Sequence, residues 1–226
     1  MFIYFIFGFF FLLSLWASNR LKKRFQEYSA VPVNYGLSGK DVAEQMLREH
    51  GITDVRVYSV EGQLTDHYDP KKKTVNLSAE VYHGRHVAAA AIAAHEVGHA
   101  VQHATAYAWL GFRSKLVPIL SVTSRYMQWI LLAGILLINF SNIPLGIGIV
   151  LFSLTTLFSF ITLPVEFDAS KRALIWLQKT NILGNQESGM AATALRWAAS
   201  TYVIAALSSL ATLLYYVSIF LGGRRS

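Results

Sequence analysis

The chain has 226 residues, of which 54% are apolar and 15% charged, and its formal net charge is +7. Soluble domains carry about 25% charged residues, so this composition excludes an ordinary soluble domain and indicates a membrane protein. The absence of cysteine excludes a disulfide framework, a thiolate metal site and a cysteine nucleophile. No stripe of Lys and Arg interleaves with aromatic residues, so no nucleic-acid partner is predicted.

Three segments without charged side chains account for the low charge: residues 1–19, 126–165 and 197–223. A helix needs about 20 apolar residues to cross a bilayer. The middle segment has 40 residues, which is enough for two passes, and residues 139–144 at its centre (Asn-Phe-Ser-Asn-Ile-Pro) supply a turn. The sequence therefore predicts four transmembrane helices, at roughly 2–18, 119–139, 143–164 and 201–221.

Basic residues predict the orientation of these helices. No basic residue precedes the first span and no small-x-small site follows it, which favours a membrane anchor over a cleaved signal. A cluster directly after this span carries the topology signal: Arg20, Lys22, Lys23 and Arg24. It predicts an outside N-terminus and a cytoplasmic segment 20–118. The middle spans go out and return, so 165–200 is cytoplasmic too, whereas the tail 222–226 is predicted outside, against the positive-inside rule.

The segment 20–118 is predicted to form a small water-facing α+β domain. Ser38 and Asp41 have capping-box spacing before a short amphipathic helix that stops at Gly51. Residues 55–60 and 74–78 have the pattern of short strands. We interpret 74–78 as an edge strand that pairs with an extended substrate.

Residues 95–99 read His-Glu-Val-Gly-His inside an Ala-rich helix predicted from about 86 to 104. At 100° per residue, His95 and His99 share one face one turn apart, so both imidazoles can reach one Zn²⁺. Glu96 lies on the flank, where it can touch a water on the metal and act as general base. The motif also occurs by chance in helices. The setting favours zinc, because an unpaired carboxylate among small apolar residues is costly.

A zinc site needs a third protein ligand. Glu166 and Asp168 return to the same side of the membrane after the two middle spans, and they are 200° apart on a helix, so only one faces the metal. Asp168 has Arg172 at i+4 for an ion pair, which favours Glu166 as ligand and Asp168 as a supporting or surface residue. The alternative is that Glu166 only marks the end of a span. His103 lies about 12 Å along the helix from His95, too far to share the ion.

A second group that stabilises the oxyanion is also expected. The candidates lie on the approach to the zinc helix: His67, Tyr68, Tyr82 and His83. Hydrogen bonding in turns and aromatic packing are alternative roles for each of them.

Five segments together resemble one known family, the YugP-type neutral zinc metallopeptidases of bacterial membranes. They are 64–70 (LTDHYDP), 74–78 (TVNLS), 81–85 (VYHGR), 94–102 (AHEVGHAVQ) and 164–170 (PVEFDAS). The layout is more distantly similar to the HtpX and CAAX-prenyl-protease group of gluzincins. The resemblance implies a multi-pass protein of the bacterial cell membrane, with His95, His99 and Glu166 as zinc ligands and Glu96 as base.

One position departs from that wider group. There the ligand Glu is usually followed four residues later by an Asp that supports the site, and here Ser170 stands in that place. Asp168 is the substitute that the sequence offers, provided that the helix is distorted locally.

The predicted architecture is a mainly α integral membrane protein with a small zincin-like α+β domain. Its order is an anchor at 1–19, the zincin-like domain at 20–118, a hairpin at 119–164, a helical segment with the third ligand at 165–200, and a transmembrane helix with a short tail at 201–226.

The predicted function is hydrolysis of peptide bonds in protein or peptide substrates, membrane proteins included, by one Zn²⁺ at the cytoplasmic membrane face. The alternative is a non-catalytic membrane adaptor whose zinc is structural. A transporter is disfavoured, because the spans contain almost no ionisable side chain.

Overall fold

The structure, a computed structural model, describes the backbone of residues 2–222 and the side chains of residues 5–222. It is mostly helical, with a small three-stranded sheet. The helices are α1 (Phe2–Ser29), α2 (Gly39–Glu49), α3 (Ala79–His83), α4 (Val87–Ala104), α5 (Ala108–Leu136), α6 (Ile143–Lys179) and α7 (Asn185–Gly222). The strands are β1 (Arg56–Val60), β2 (His67–Asp69) and β3 (Thr74–Ser78).

Three helices, α5, α6 and α7, are long and apolar enough to cross a membrane. This confirms a mostly helical fold and agrees with a membrane protein. The predicted first span, residues 2–18, lies in α1, and a fourth transmembrane helix stays a prediction. Of the tail predicted outside, residues 223–226 lie beyond the described residues.

The chain folds as two compact units. The hairpin unit contains the residues up to Trp16, Gly111–Leu163 and the residues from Thr201 onward. In it, a Cβ on Gly134 would lie 2.5 Å from Cα of Leu145. Glycine at this position therefore lets the backbones of α5 and α6 touch. The site unit contains Ala17–Leu110 and Pro164–Ser200.

The sheet lies in the site unit and has the order β1-β3-β2, with β3 parallel to β1 and antiparallel to β2. Thr74–Ser78, which we expected to be an edge strand open to substrate, is therefore the central strand, and that expectation is wrong. The reason is β2, which occupies one edge of β3 and has only three residues, too few for an alternating pattern to reveal it.

The core of the site unit combines this sheet with α2 and α4. Fully buried side chains come from all three: Val42, Met46, Val75, Leu77, Val87 and Val97. The predicted capping box is confirmed, because the Ser38 side chain accepts from the Asp41 amide and the Asp41 carboxylate accepts from the Ser38 amide. The hydrogen bond that the Ser38 hydroxyl donates to the Asp41 carboxylate at 2.6 Å, together with the one from the Ser38 amide, lowers the pKa of Asp41.

The helix that carries the His-Glu-Val-Gly-His segment begins at an unusual cap. His86 is the N-cap residue of α4, and its Nδ1 accepts a hydrogen bond of 3.1 Å from the amide of Ala89. Only a neutral imidazole has a lone pair at this nitrogen. Burial lowers the pKa of His86 below its ordinary value of 6.5, and the nearby Glu80 opposes this shift only in part.

We expect this cap to make stability depend on pH. The His86 pKa is lower in the folded than in the unfolded chain, so the cap stabilises the fold fully above about pH 6.5 and is lost as the pH falls through the folded value. His86→Asn keeps a capping side chain that does not titrate and should cost less than about 1 kcal/mol at pH 7.5. Thermal unfolding measured from pH 7.5 to 5 should show the wild type losing stability relative to this variant, and parallel curves would contradict the assignment.

Candidate metal centre

Two histidines of α4 and one carboxylate of α6 converge in the site unit. Glu166 Oε2 lies 3.3 Å from His95 Nε2 and 3.6 Å from His99 Nε2. The metal-binding atoms of the three residues all lie within 4.8 Å of one another. Glu166 is 3% exposed and His99 is also buried. The structure thus brings together the three residues that the sequence predicted as metal ligands.

The spacing of these donor atoms fits a zinc ion. Ligand atoms about 2.1 Å from a tetrahedrally coordinated zinc are about 3.4 Å from one another, which matches the 3.3 and 3.6 Å separations from Glu166 to the two imidazoles. Two imidazole nitrogens and one carboxylate oxygen are also the ligand types that catalytic zinc sites use. The residues present therefore fit zinc in their chemistry, and the two separations from Glu166 fit its spacing.

A close approach of two backbones brings Glu166 to the histidines. A Cβ on Gly98 would lie 2.7 Å from the carbonyl oxygen of Ala169 and 3.2 Å from its Cα. Only glycine lets α4 meet α6 at this distance. Gly98 stands between the two histidines in the sequence, so the contact occurs at the level of the site. Gly98 had no predicted role, although its place inside the His-Glu-Val-Gly-His segment was a signal.

Each histidine is also held from its far side. Ser170 Oγ lies 3.1 Å from His95 Nδ1. Ser170, which stands where the wider group has its supporting Asp, thus itself contacts a predicted metal ligand. Asp168 instead accepts hydrogen bonds from Arg172 Nε at 2.6 Å, which confirms the predicted ion pair, and from Gln102 Nε2 at 2.9 Å.

Gln102 is a residue that the sequence analysis missed. Its Oε1 lies 3.0 Å from His99 Nδ1, and its Nε2 donates to the Val165 carbonyl at 2.8 Å. The side chain is 0% exposed. The available signal was a polar side chain three residues after His99, on the buried part of an otherwise apolar helix.

Glu96 lies on α4 between the two ligand positions in sequence and is 8% exposed. It is not one of the three converging residues in the described part of the chain. Its carboxylate is close enough to His99 to act on it electrostatically. Burial of the His99 ring opposes protonation, but the hydrogen bond to Glu166 and the charges of Glu96 and Glu166 outweigh burial and raise the pKa of His99.

The other predicted residues lie in different contacts. His67 Nδ1 lies 2.8 Å from the Thr65 carbonyl oxygen, and its Nε2 lies 3.2 Å from the side-chain nitrogen Nδ2 of Asn76. Tyr68 Oη lies 2.9 Å from His103 Nδ1. The rings of Tyr82 and His83 pack against each other, 4.9 Å apart. These contacts are of the turn and packing kind, and oxyanion stabilisation by any of these residues stays a prediction.

Comparison with known proteins agrees with this chemistry. The sequence profile of the family described as "Putative neutral zinc metallopeptidase" matches residues 3–221. The protein named "Putative membrane protease YugP" from Bacillus subtilis (strain 168) is 44% identical over 212 residues, which cover 94% of this chain and 93% of that protein. No solved structure matches the chain. Since the family profile spans nearly the whole chain, the resemblance found in the sequence is confirmed, and the chain belongs to this family of neutral zinc metallopeptidases.

Proposed function

We propose that this protein is a membrane-embedded zinc endopeptidase that hydrolyses peptide bonds of protein substrates at the cytoplasmic face of the bacterial cell membrane. The observation that carries the proposal is the convergence of His95, His99 and Glu166, with Glu96 beside them on α4. The family and the relative named a membrane protease support the same class of activity.

The proposed roles follow from the residue types. When bound, zinc lowers the pKa of water to about 7 and polarises the scissile carbonyl. His95, His99 and Glu166 would hold the ion. Glu96 accepts a proton from the attacking water and passes it to the leaving amine. The C–N bond breaks, and the products are a neutral amine and a carboxylic acid.

The number of protein donors favours catalysis over a structural zinc. A structural site closes the metal with four protein ligands, whereas a catalytic site keeps one position open for water or substrate. Within the part of the chain that the structure describes, the converging group contains three residues. This supports a peptidase over the alternative of a membrane adaptor with a structural zinc.

The cytoplasmic side is proposed from charge and from span number. The basic cluster at residues 20–24 follows the predicted first span, which predicts a cytoplasmic position for the following segment. Two predicted spans separate His99 from Glu166, an even number that returns the chain to the same side. The convergence of these two residues supports that count.

Membrane vesicles of both orientations test the proposal. In vesicles with the cytoplasmic face outward, added fluorescein-labelled casein should be cleaved. The cleavage should stop on treatment with a zinc chelator and return with Zn²⁺, because without the ion nothing would activate the water or polarise the scissile carbonyl. Right-side-out vesicles should leave casein intact. Zinc bound by the purified protein without any cleavage would favour the adaptor, and cleavage that survives chelation would overturn the zinc mechanism.

A further inference from the structure

We infer that Gln102 is a positioning residue that fixes the tautomer of His99 and ties it to the segment carrying Glu166. The inference rests on the proposed zinc site. Gln102 makes three hydrogen-bond contacts, to His99, Val165 and Asp168, and it is fully buried, so that water does not replace any of them.

Arg172, Asp168, Gln102 and His99 form a series of hydrogen bonds. The direction of each bond in this series can be assigned by starting from Arg172. Arg172 is a donor only, and its Nε donates to Asp168 Oδ2 at 2.6 Å. The Asp168 carboxylate and the Val165 carbonyl are acceptors, so the Gln102 atom that contacts both must be its NH₂ group. The orientation of the Gln102 amide is therefore set by its surroundings, with the oxygen toward His99.

The oxygen of Gln102 in turn determines the state of His99. An amide oxygen only accepts, so His99 Nδ1 must carry a proton. In a neutral ring the lone pair then lies on Nε2, the atom that faces Glu166 at 3.6 Å and is used for the metal. Ser170, which contacts His95 Nδ1, has a hydroxyl that can donate or accept. The structure thus fixes the tautomer of His99 more firmly than that of His95.

The second amide contact places the carboxylate ligand. Gln102 Nε2 donates to the carbonyl of Val165, the residue directly before Glu166, at 2.8 Å. One side chain of α4 therefore holds both a ligand of its own helix and the start of the ligand segment in α6. Partners of this kind are typically worth about 10 to 100-fold in metal affinity.

The zinc affinity of the full-length protein in detergent, measured by competition with a chelator, tests the inference. Gln102→Met keeps the volume and removes all three contacts, so it should weaken zinc binding by about 10 to 100-fold. The matched control is Gln45→Met, since Gln45 is partly exposed on α2 and donates a hydrogen bond of 3.0 Å to Glu49, outside the group of metal donors. It should leave zinc affinity unchanged.

A second substitution, at Asp168, distinguishes a positioning role of Gln102 from a role in packing alone. Gln102→Glu places a carboxylate against Asp168 and the Val165 carbonyl. Adding Asp168→Asn supplies an amide that donates to it. We therefore expect Asp168→Asn to weaken zinc binding in the wild-type background and to strengthen it by about 10-fold or more in the Gln102→Glu background. The same sign in both backgrounds would overturn the inference, as would full zinc affinity in Gln102→Met.

These outcomes are separable from the proposed function, because zinc affinity is measured without substrate. Zinc binding that responds to these variants in a protein that cleaves nothing would retain the positioning role and refute the peptidase. Casein cleavage by the wild type, with no response of zinc affinity to the variants, would retain the peptidase and refute the positioning role.

Discussion

Glu96→Gln should abolish peptide cleavage while the protein keeps its zinc. The substitution preserves the shape of a side chain that is 8% exposed on α4 and removes its ability to accept a proton. General acid–base catalysis contributes about 10² to 10⁴-fold, so the rate of casein cleavage at saturating substrate should fall by a factor in this range. Zinc content of the purified variant should equal that of the wild type, because Glu96 is not among the three converging residues described.

The matched control for this prediction is Glu44→Gln on α2. Glu44 pairs with Lys40 at 3.7 Å, and 40% of each side chain is exposed, so its loss should change the cleavage rate by less than about 2-fold. A Glu96→Gln variant that cleaves at the wild-type rate would refute the general-base role. A variant that loses its zinc would instead make Glu96 a ligand.

The substitution Gly98→Ala should disrupt the metal centre although it changes no ligand. The new Cβ would lie 2.7 Å from the Ala169 carbonyl oxygen, and this neighbour is backbone, so α4 and α6 must separate. Ala169 follows Glu166 by one turn, so the carboxylate moves away from both imidazoles. We expect a loss of about 1–3 kcal/mol in the free energy of unfolding and at least about 10-fold weaker zinc binding.

Gly189→Ala is the control, because Gly189 lies in α7 and a Cβ there meets nothing within 4 Å. This variant should be as stable as the wild type or up to about 1 kcal/mol more stable, since alanine is the better helix former. Thermal unfolding and chelator competition on the two variants provide the comparison. Zinc binding by Gly98→Ala at wild-type affinity would show that the close approach of α4 and α6 is not needed for the site.

The converging residues were predictable because each depends on a simple count. His95 and His99 follow from the helical period, and Glu166 follows from the number of membrane spans before it. The ion pair between Asp168 and Arg172 follows from i,i+4 spacing in the same helix. Each of these predictions depends on the regular geometry of a helix or on the number of spans, and both can be counted along the sequence.

Gln102, Ser170 and Gly98 were not predictable in the same way. Their roles depend on which faces of α4 and α6 meet, and 63 residues separate Gln102 from the Val165 carbonyl that it binds. No periodicity encodes that choice. The cap of α4 was hidden for another reason: histidine is not a usual capping residue, and His86 accepts the hydrogen bond only when its half-buried ring is neutral.

The split origin of the donors also sets when the metal centre can form during synthesis of the chain. His95 and His99 leave the ribosome well before Glu166, and both helices of the hairpin unit between Gly111 and Leu163 must be made in the interval. A nascent chain therefore carries two imidazoles without their carboxylate until the hairpin is complete. The complete set of three donors therefore exists only in a chain that has already made α5 and the apolar part of α6.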